Sequence, residues 1–154
     1  MQKDKLEIKA AIQIQKPVQE VYEAIVDPDK MKHYFISESS GRMEKGKELS
    51  WKFPEFEGEA NIEVTNLVPN ELVSFMWEGA KAKKLQVEMV LHKMPDDSTV
   101  VRITEGKMTP DKAGIEWFGG NTEGWANFLA CLKAYVEYGI NLRKGAFEFR
   151  RGEM

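Results

Sequence analysis

The chain has 154 residues, a formal charge of −3, and 42% apolar against 31% charged side chains. That length suits one domain around one core, and that balance excludes a disordered chain. The acidic charge removes the broad electrostatic case for nucleic acid, because domains that follow phosphates carry a basic excess.

At the N-terminus MQKDKLEIK has no signal-peptide core, and no apolar run anywhere approaches a membrane span. A cytoplasmic protein without membrane insertion is the expectation. Leu6, Ile8, Ala10, Ile12 and Ile14 then alternate with Glu7, Lys9, Ala11 and Gln13, the pattern of a half-buried antiparallel strand. Pro17 suits the first turn of a helix, and Val18, Val21, Tyr22 and Ile25 follow at helical spacing until Asp27-Pro28 ends the run. A second short helix is expected from Asp29 to Phe35, capped by Asp29, with Met31, Tyr34 and Phe35 facing inward.

From Ile36 to Glu105 the period changes to two. Gly41, Gly46, Pro54, Gly58, Pro69-Asn70, Gly79 and Pro95-Asp96-Asp97 divide the region into short strands. The inward rows are Leu49, Trp51 and Phe53, then Ala60, Ile62 and Val64, then Val73, Phe75 and Trp77. Leu85, Val87, Met89 and Leu91 follow, and Thr99, Val101 and Ile103 complete the series. Lys52, Glu59, Glu63, Glu88, His92 and Arg102 fall on the opposite, solvated face. Leu67-Val68 suggests a bulge before Pro69. Glu55, Glu57 and Glu59 are expected on a solvated turn between Pro54 and Gly58.

Thr109-Pro110-Asp111 signals a helix start, with Thr109 as N-cap and Pro110 at the first helical position. Gly119-Gly120 is expected to interrupt that helix, since each glycine costs about 1 kcal/mol relative to Ala. The main helix would restart near Asn121 and run to Leu142. Trp125, Phe128, Leu129, Leu132, Tyr135 and Val136 form one apolar stripe along it. Cys131, the single cysteine, flanks the stripe as a small core residue and excludes an intrachain disulfide. Beyond Leu142 the tail KGAFEFRRGEM reads as strand-like or loose. Its basic bias, Arg143, Lys144, Arg150 and Arg151, is interrupted by Glu148 and Glu153 and reads as solvated.

This order predicts an α+β class, with a curved antiparallel sheet of about seven strands wrapped round a long C-terminal helix and two short helices after the first strand. A gap between such a sheet and helix is an apolar pocket.

The stretches PVQEVYEAIVDPDKMKHYF, from Pro17 to Phe35, and TEGWANFLACLKAYVEYG, from Thr122 to Gly139, carry a resemblance. With the strand-rich region between them, they resemble the START-like (SRPBCC) superfamily of helix-grip domains. Within it the chain is most similar to the activator of heat-shock protein 90 ATPase homologue (AHSA-type) family. The family's closing Gly-Trp-x-x-x-Leu-x-x-Leu helix is matched by Gly124, Trp125, Leu129 and Leu132. The resemblance covers nearly the whole chain, and its motifs are core patterns without a nucleophile. It implies one helix-grip domain over residues 1–154, without the extra N-terminal domain of the co-chaperones. It also implies a carrier or sensor of apolar ligands, or a chaperone partner.

Trp51, Phe75, Trp77, Met89, Trp117, Trp125 and Phe128 are the expected walls of a pocket between sheet and helix, because rigid rings hold open a space that aliphatics would fill. Glu105 or His33 would contact a polar group of the ligand. His33 and His92, the only histidines, fall on different faces, so no metal or other cofactor is expected. No GxSxG, P-loop, dinucleotide fingerprint or HExxH occurs. The leading expectation is binding of an apolar or amphipathic small molecule. A chaperone-associated interaction module is the alternative, and a cyclase- or hydrolase-type enzyme on the same fold is the third. A homodimer through the outer sheet face or the tail stays open.

Overall fold

The strand periodicity is realised as a single antiparallel sheet in the computed structural model, which describes residues 5–151. Residues 1–4, where the signal-peptide expectation falls in part, and 152–154, with Glu153 of the tail, lie outside the described residues. The elements are β1 (Leu6–Ile14), α1 (Val18–Val26), α2 (Pro28–Met31), β2 (Glu38–Ser39), β3 (Glu48–Lys52), β4 (Ala60–Val68), β5 (Leu72–Ala80), β6 (Lys83–Lys93), β7 (Thr99–Met108) and α3 (Lys112–Tyr138). The seven strands stand in the order β1-β7-β6-β5-β4-β3-β2. The first strand therefore pairs with the last, Ile8 opposite Glu105 and Ile12 opposite Val101.

Ile62, Val64, Val73, Phe75, Val87, Met89, Val101 and Ile103 are buried on one face, while Glu63, Glu88, His92 and Arg102 are exposed on the other. Across the buried face lies α3, which buries Trp125, Phe128, Leu129, Cys131 and Leu132. Each large side chain so buried is worth about 1.5–3 kcal/mol, and this tertiary gain organises the helix more than local propensity does.

That gain explains why the expected break at Gly119-Gly120 does not occur. Buried Trp117 precedes the glycines and buried Trp125 follows them, so α3 runs unbroken from Lys112 to Tyr138. It starts later than Thr109-Pro110 suggests, because Asp111 is the N-cap and accepts the Gly114 N–H at 2.7 Å. A carboxylate caps more strongly than a hydroxyl at the positive end of the helix dipole. It stops short of Leu142, because Gly139 turns left-handed with φ 66° and closes the last turn on Tyr135 O.

The other departures are local. Asp27, not Asp29, caps α2 by accepting the Asp29 N–H at 2.9 Å, which leaves Pro28 at the first helical position and ends the helix at Met31. Pro17 is the N-cap of α1 rather than its first helical residue. The bulge in β4 falls between Val64 and Asn66, not at Leu67-Val68. There Thr65 turns to share a hydrogen bond with Ser74 at 3.0 Å, a polar pairing the apolar pattern does not show. The tail is neither strand nor loose coil around Phe147, but a turn leading into a 3-10 segment, Glu148–Arg150.

Two contacts tie the C-terminal half of α3 to β1 and to Gln15 just after it. Lys133 Nζ donates to Gln13 O at 2.8 Å, and the Gln15 N–H donates to Glu137 Oε2 at 2.8 Å. Burial would raise the Glu137 carboxyl, but the Lys133 ammonium and the Gln15 N–H outweigh it and hold it below its ordinary 4.5. A carboxyl depressed on folding contributes stability that is present above pH 4.5 and lost as the pH falls through the folded value. Urea denaturation should therefore show Glu137→Gln losing less stability than wild type between about pH 6 and pH 3. Equal losses would mean that the tie carries no titration.

Candidate functional site: an aromatic cleft on the flank of the long helix

Inward parity along β7 carries Glu105 into the interior beside Ile103, where it is fully buried. Trp77 Nε1 donates to its Oε2 at 2.9 Å, and Trp125 Nε1 donates to its Oε1 at 2.8 Å. Asn121 Nδ2 donates to the same Oε1 at 3.1 Å and to Gly79 O at 3.1 Å. Every partner is a donor, which suits an acceptor-only carboxylate and compensates its loss of water. Gly79 makes room for it, since a Cβ there would lie 1.9 Å from Glu105 Oε2. One carboxylate thus joins β5, β7 and α3. Among the described residues, the indole N–H groups of Trp51 and Trp117 are buried without a partner.

The rings around this hub touch one another. Trp77 and Trp125 are 5.5 Å apart, Trp51 and Phe75 5.5 Å, Trp125 and Phe128 5.3 Å, and Phe35 and Phe128 4.7 Å. At this level the rings pack against one another between sheet and helix. The open space lies one layer outward, as a cleft of about 430 Å³ bounded by Phe35, Phe53, Phe56, Trp77, Trp125 and Phe147. Along α3 it is bordered by Gly120, Asn121, Gly124 and Asn127. A Cβ at Gly120 or Gly124 would meet nothing within 4 Å, so both glycines present bare backbone to the cleft.

The segment after Gly139 folds back to form the remaining wall. Its Arg143 Nη2 donates to Glu55 Oε1 at 2.7 Å, with only 14% and 2% of the two side chains exposed. The guanidinium also lies 4.9 Å from the Phe147 ring centre, 5.8 Å from Phe53 and 5.9 Å from Phe35. Farther along, Arg150 Nη2 pairs with Glu123 Oε1 at 3.2 Å. The expected solvated turn and solvated tail are therefore corrected at one residue each. Glu55 and Arg143 leave water together because each supplies the other's counter-charge, while Glu57 and Glu59 stay exposed. Burial pushes the Cys131 thiol up, against the pull of the Arg143 charge, so the cysteine stays protonated.

The residues singled out by sequence separate into groups. Trp77 and Trp125 wall the cleft, and Glu105 stands behind them as their anchor. Trp51, Phe75, Met89 and Phe128 form the packed layer beneath, and Trp117 is buried one helical stretch away, outside the cleft. His33 stacks on Tyr135 at 5.4 Å and borders a second cleft, which Glu55, Phe35 and Arg143 also line. Sequence reasoning missed Phe53, Phe56, Phe147, Arg143 and the two glycines as cleft residues. Their signal was a set of large rings placed in otherwise charged loops, FPEF and KGAFEF. Among the described residues no group of three or more His, Cys, Asp or Glu could hold a metal, and no helix is long and apolar enough to cross a membrane.

A seven-stranded antiparallel sheet closed by one long C-terminal helix defines a START-like, helix-grip domain. Residues 15–137 match the family described as "Activator of Hsp90 ATPase homolog 1-like protein", and the chain belongs to that family. The crystal structure of protein SSP2350 from Staphylococcus saprophyticus is 30% identical, with a TM-score of 0.76 over 88% of this chain and 94% of that one. The solution structure of the Aha1 dimer from Colwellia psychrerythraea is 23% identical, with a TM-score of 0.74 over 87% of this chain and 98% of that one. CalU16 from Micromonospora echinospora shares the fold at 20% identity, with a TM-score of 0.69 over 97% of this chain and 85% of that one. None of the curated proteins matches.

The hub predicts a specific sensitivity. Glu105→Gln turns an N–H₂ group toward one of the three donors, so it should cost about 1–3 kcal/mol in chemical denaturation. Gly79→Ala should destabilise the fold comparably by displacing the carboxylate. A neutral result for both would show that the three donors are satisfied elsewhere.

Proposed function

We propose that this protein binds an apolar or amphipathic small molecule in the cleft between the sheet, α3 and the closing segment. The carrying observation is a space of about 430 Å³ walled by aromatic rings and bordered by two helical glycines with no packing neighbour. A volume of this order is that of small-molecule sites. Helical glycine costs about 1 kcal/mol relative to Ala, and at Gly120 and Gly124 no close contact inside the fold requires it. What the missing side chains leave free is the cleft itself. Trp77 and Trp125 supply stacking faces, and Glu105 holds their edges.

The glycines give a test that separates binding from folding. Gly124→Leu should raise stability by about 0.5–1 kcal/mol, because leucine is the better helix former. It should also weaken binding of the neutral probe N-phenyl-1-naphthylamine, read by probe fluorescence, at least about tenfold, since the side chain fills the cleft. Gly119→Leu, on the same helix but outside the cleft, should gain similar stability and bind the probe as wild type does. Equal binding by both variants would sink the reading.

A second reading, a chaperone-associated interaction module, is favoured by the family description and by four exposed apolar side chains near the C-terminus. Tyr138, Ile140, Leu142 and Phe149 are 68%, 52%, 48% and 66% exposed. On this reading the chain stimulates the ATPase of an Hsp90-type chaperone, and the Ile140→Ser, Leu142→Ser double variant does so several-fold less. An ATPase rate unchanged by saturating protein would dismiss it.

A further inference from the structure

We infer that the cleft is built for an anion, a small molecule with an aromatic or otherwise apolar body and a carboxylate or similar oxyanion that Arg143 receives. The inference rests on the ligand-binding reading above and adds the charge of the ligand.

Arg143 stands between two clefts. Both the aromatic cleft and its neighbour beside His33 are lined by Arg143 and Phe35, but Glu55 borders only the neighbour. A guanidinium carries five N–H donors in a fixed fork. Among the described residues, Arg143 has one side-chain hydrogen bond, from Nη2 to Glu55, and its Nε is buried with no acceptor. Folds rarely leave such a donor unmet, because protein, water or ligand normally supplies the acceptor.

Little else in the aromatic cleft offers an acceptor to that group. Its lining near Arg143 is ring surface, from Phe35, Phe53 and Phe147. Asn121 and Asn127 bring amide oxygens to the α3 side of the lining, but neither accepts from Arg143. Glu123, the one carboxylate among the described lining residues, is 62% exposed and pairs with Arg150. An occupant of the cleft reaches the fork through Nη1, which has no hydrogen bond among the described residues and is not enclosed as Nε is, and a carboxylate, which only accepts, fits it best. The three rings restrict the guanidinium and pre-organise it, so little ordering cost remains at binding.

Selection here is by hydrogen bonding rather than by net field. Glu55 and Glu123 balance the two arginine charges, so the cleft is not a broadly positive patch. A neutral amide of the same shape offers one acceptor oxygen, and its N–H₂ group meets the donors of the fork. A cation meets the guanidinium directly. Arg143 also lies outside the family match, which ends at residue 137, so this selectivity belongs to the closing segment.

The test uses a matched pair, 1-naphthylacetate and 1-naphthylacetamide, titrated calorimetrically into the full chain. Wild type should bind the acid at least about tenfold more tightly than the amide, as expected for hydrogen bonds to a charged group. In the Glu55→Gln, Arg143→Met double variant, which leaves no unpaired buried charge, the ratio of acid to amide affinity should fall to within about threefold of one. A measurement without substitution accompanies this one: the acid should shift the Arg143 Nε–H resonance in a ¹⁵N spectrum, and the amide should not. Equal binding of acid and amide by wild type overturns the inference and leaves the ligand-binding reading standing. A preference for acid that survives in the double variant, or an unmoved Nε–H, overturns the role of Arg143. Binding of neither compound overturns the inference and the underlying reading together.

Discussion

A carboxylate removed from water has to be surrounded by donors, and around Glu105 the donors come from separate parts of the chain. Trp77 is on β5, Asn121 and Trp125 are on α3, and Glu105 itself is on β7. An isolated buried carboxylate costs many kcal/mol, so these elements can approach only in the arrangement that completes its shell. The helix is set at one height and one rotation over the sheet. The two indoles are turned edge-inward to the carboxylate, which leaves ring surface toward the cleft. Gly79 belongs to the same constraint, because no larger residue leaves space for the carboxylate oxygen.

From that hub outward the molecule divides into a packed interior and an open flank. Behind the indoles, Trp51, Phe75, Met89 and Phe128 are buried, with the Trp51 and Phe75 rings 5.5 Å apart. In front of them the helix withdraws its side chains at Gly120 and Gly124, and the closing segment returns with Arg143 and Phe147. The Arg143–Glu55 pair fastens that segment from the side of the neighbouring cleft. A buried pair of this kind adds little net stability but defines geometry sharply, since either charge alone would be strongly destabilising. The segment is therefore held in a defined position as a wall of the cleft.

Much of the fold was legible because strand parity is a local property. The β1 boundaries, the inward rows of β4 to β7 and the apolar stripe of α3 follow from the period of the side chains, whatever they pack against. The errors fell where a local rule met a tertiary gain. Two glycines should break an isolated helix, but burial of Trp117 and Trp125 on either side holds α3 together. Thr109 is an acceptable cap, but Asp111 is a better one, and the helix takes it. In the site, parity placed Trp77 inward and helical spacing placed Trp125, yet neither reveals that both bond one carboxylate.

Side-chain alternation and helical spacing thus specified the class of fold, the buried face of each strand and the ring-rich interior. They act through neighbours in the chain, where geometry repeats every two or every 3.6 residues. The assembled fold settled everything that depends on partners far apart: Glu105 with Trp77, Arg143 with Glu55 and the rings of the FPEF loop with Phe147. Those meetings depend on sheet register, on where α3 docks and on the left-handed turn at Gly139, none of which a local period encodes. For that reason the interior was foreseen between sheet and helix, and the cleft was found beside it.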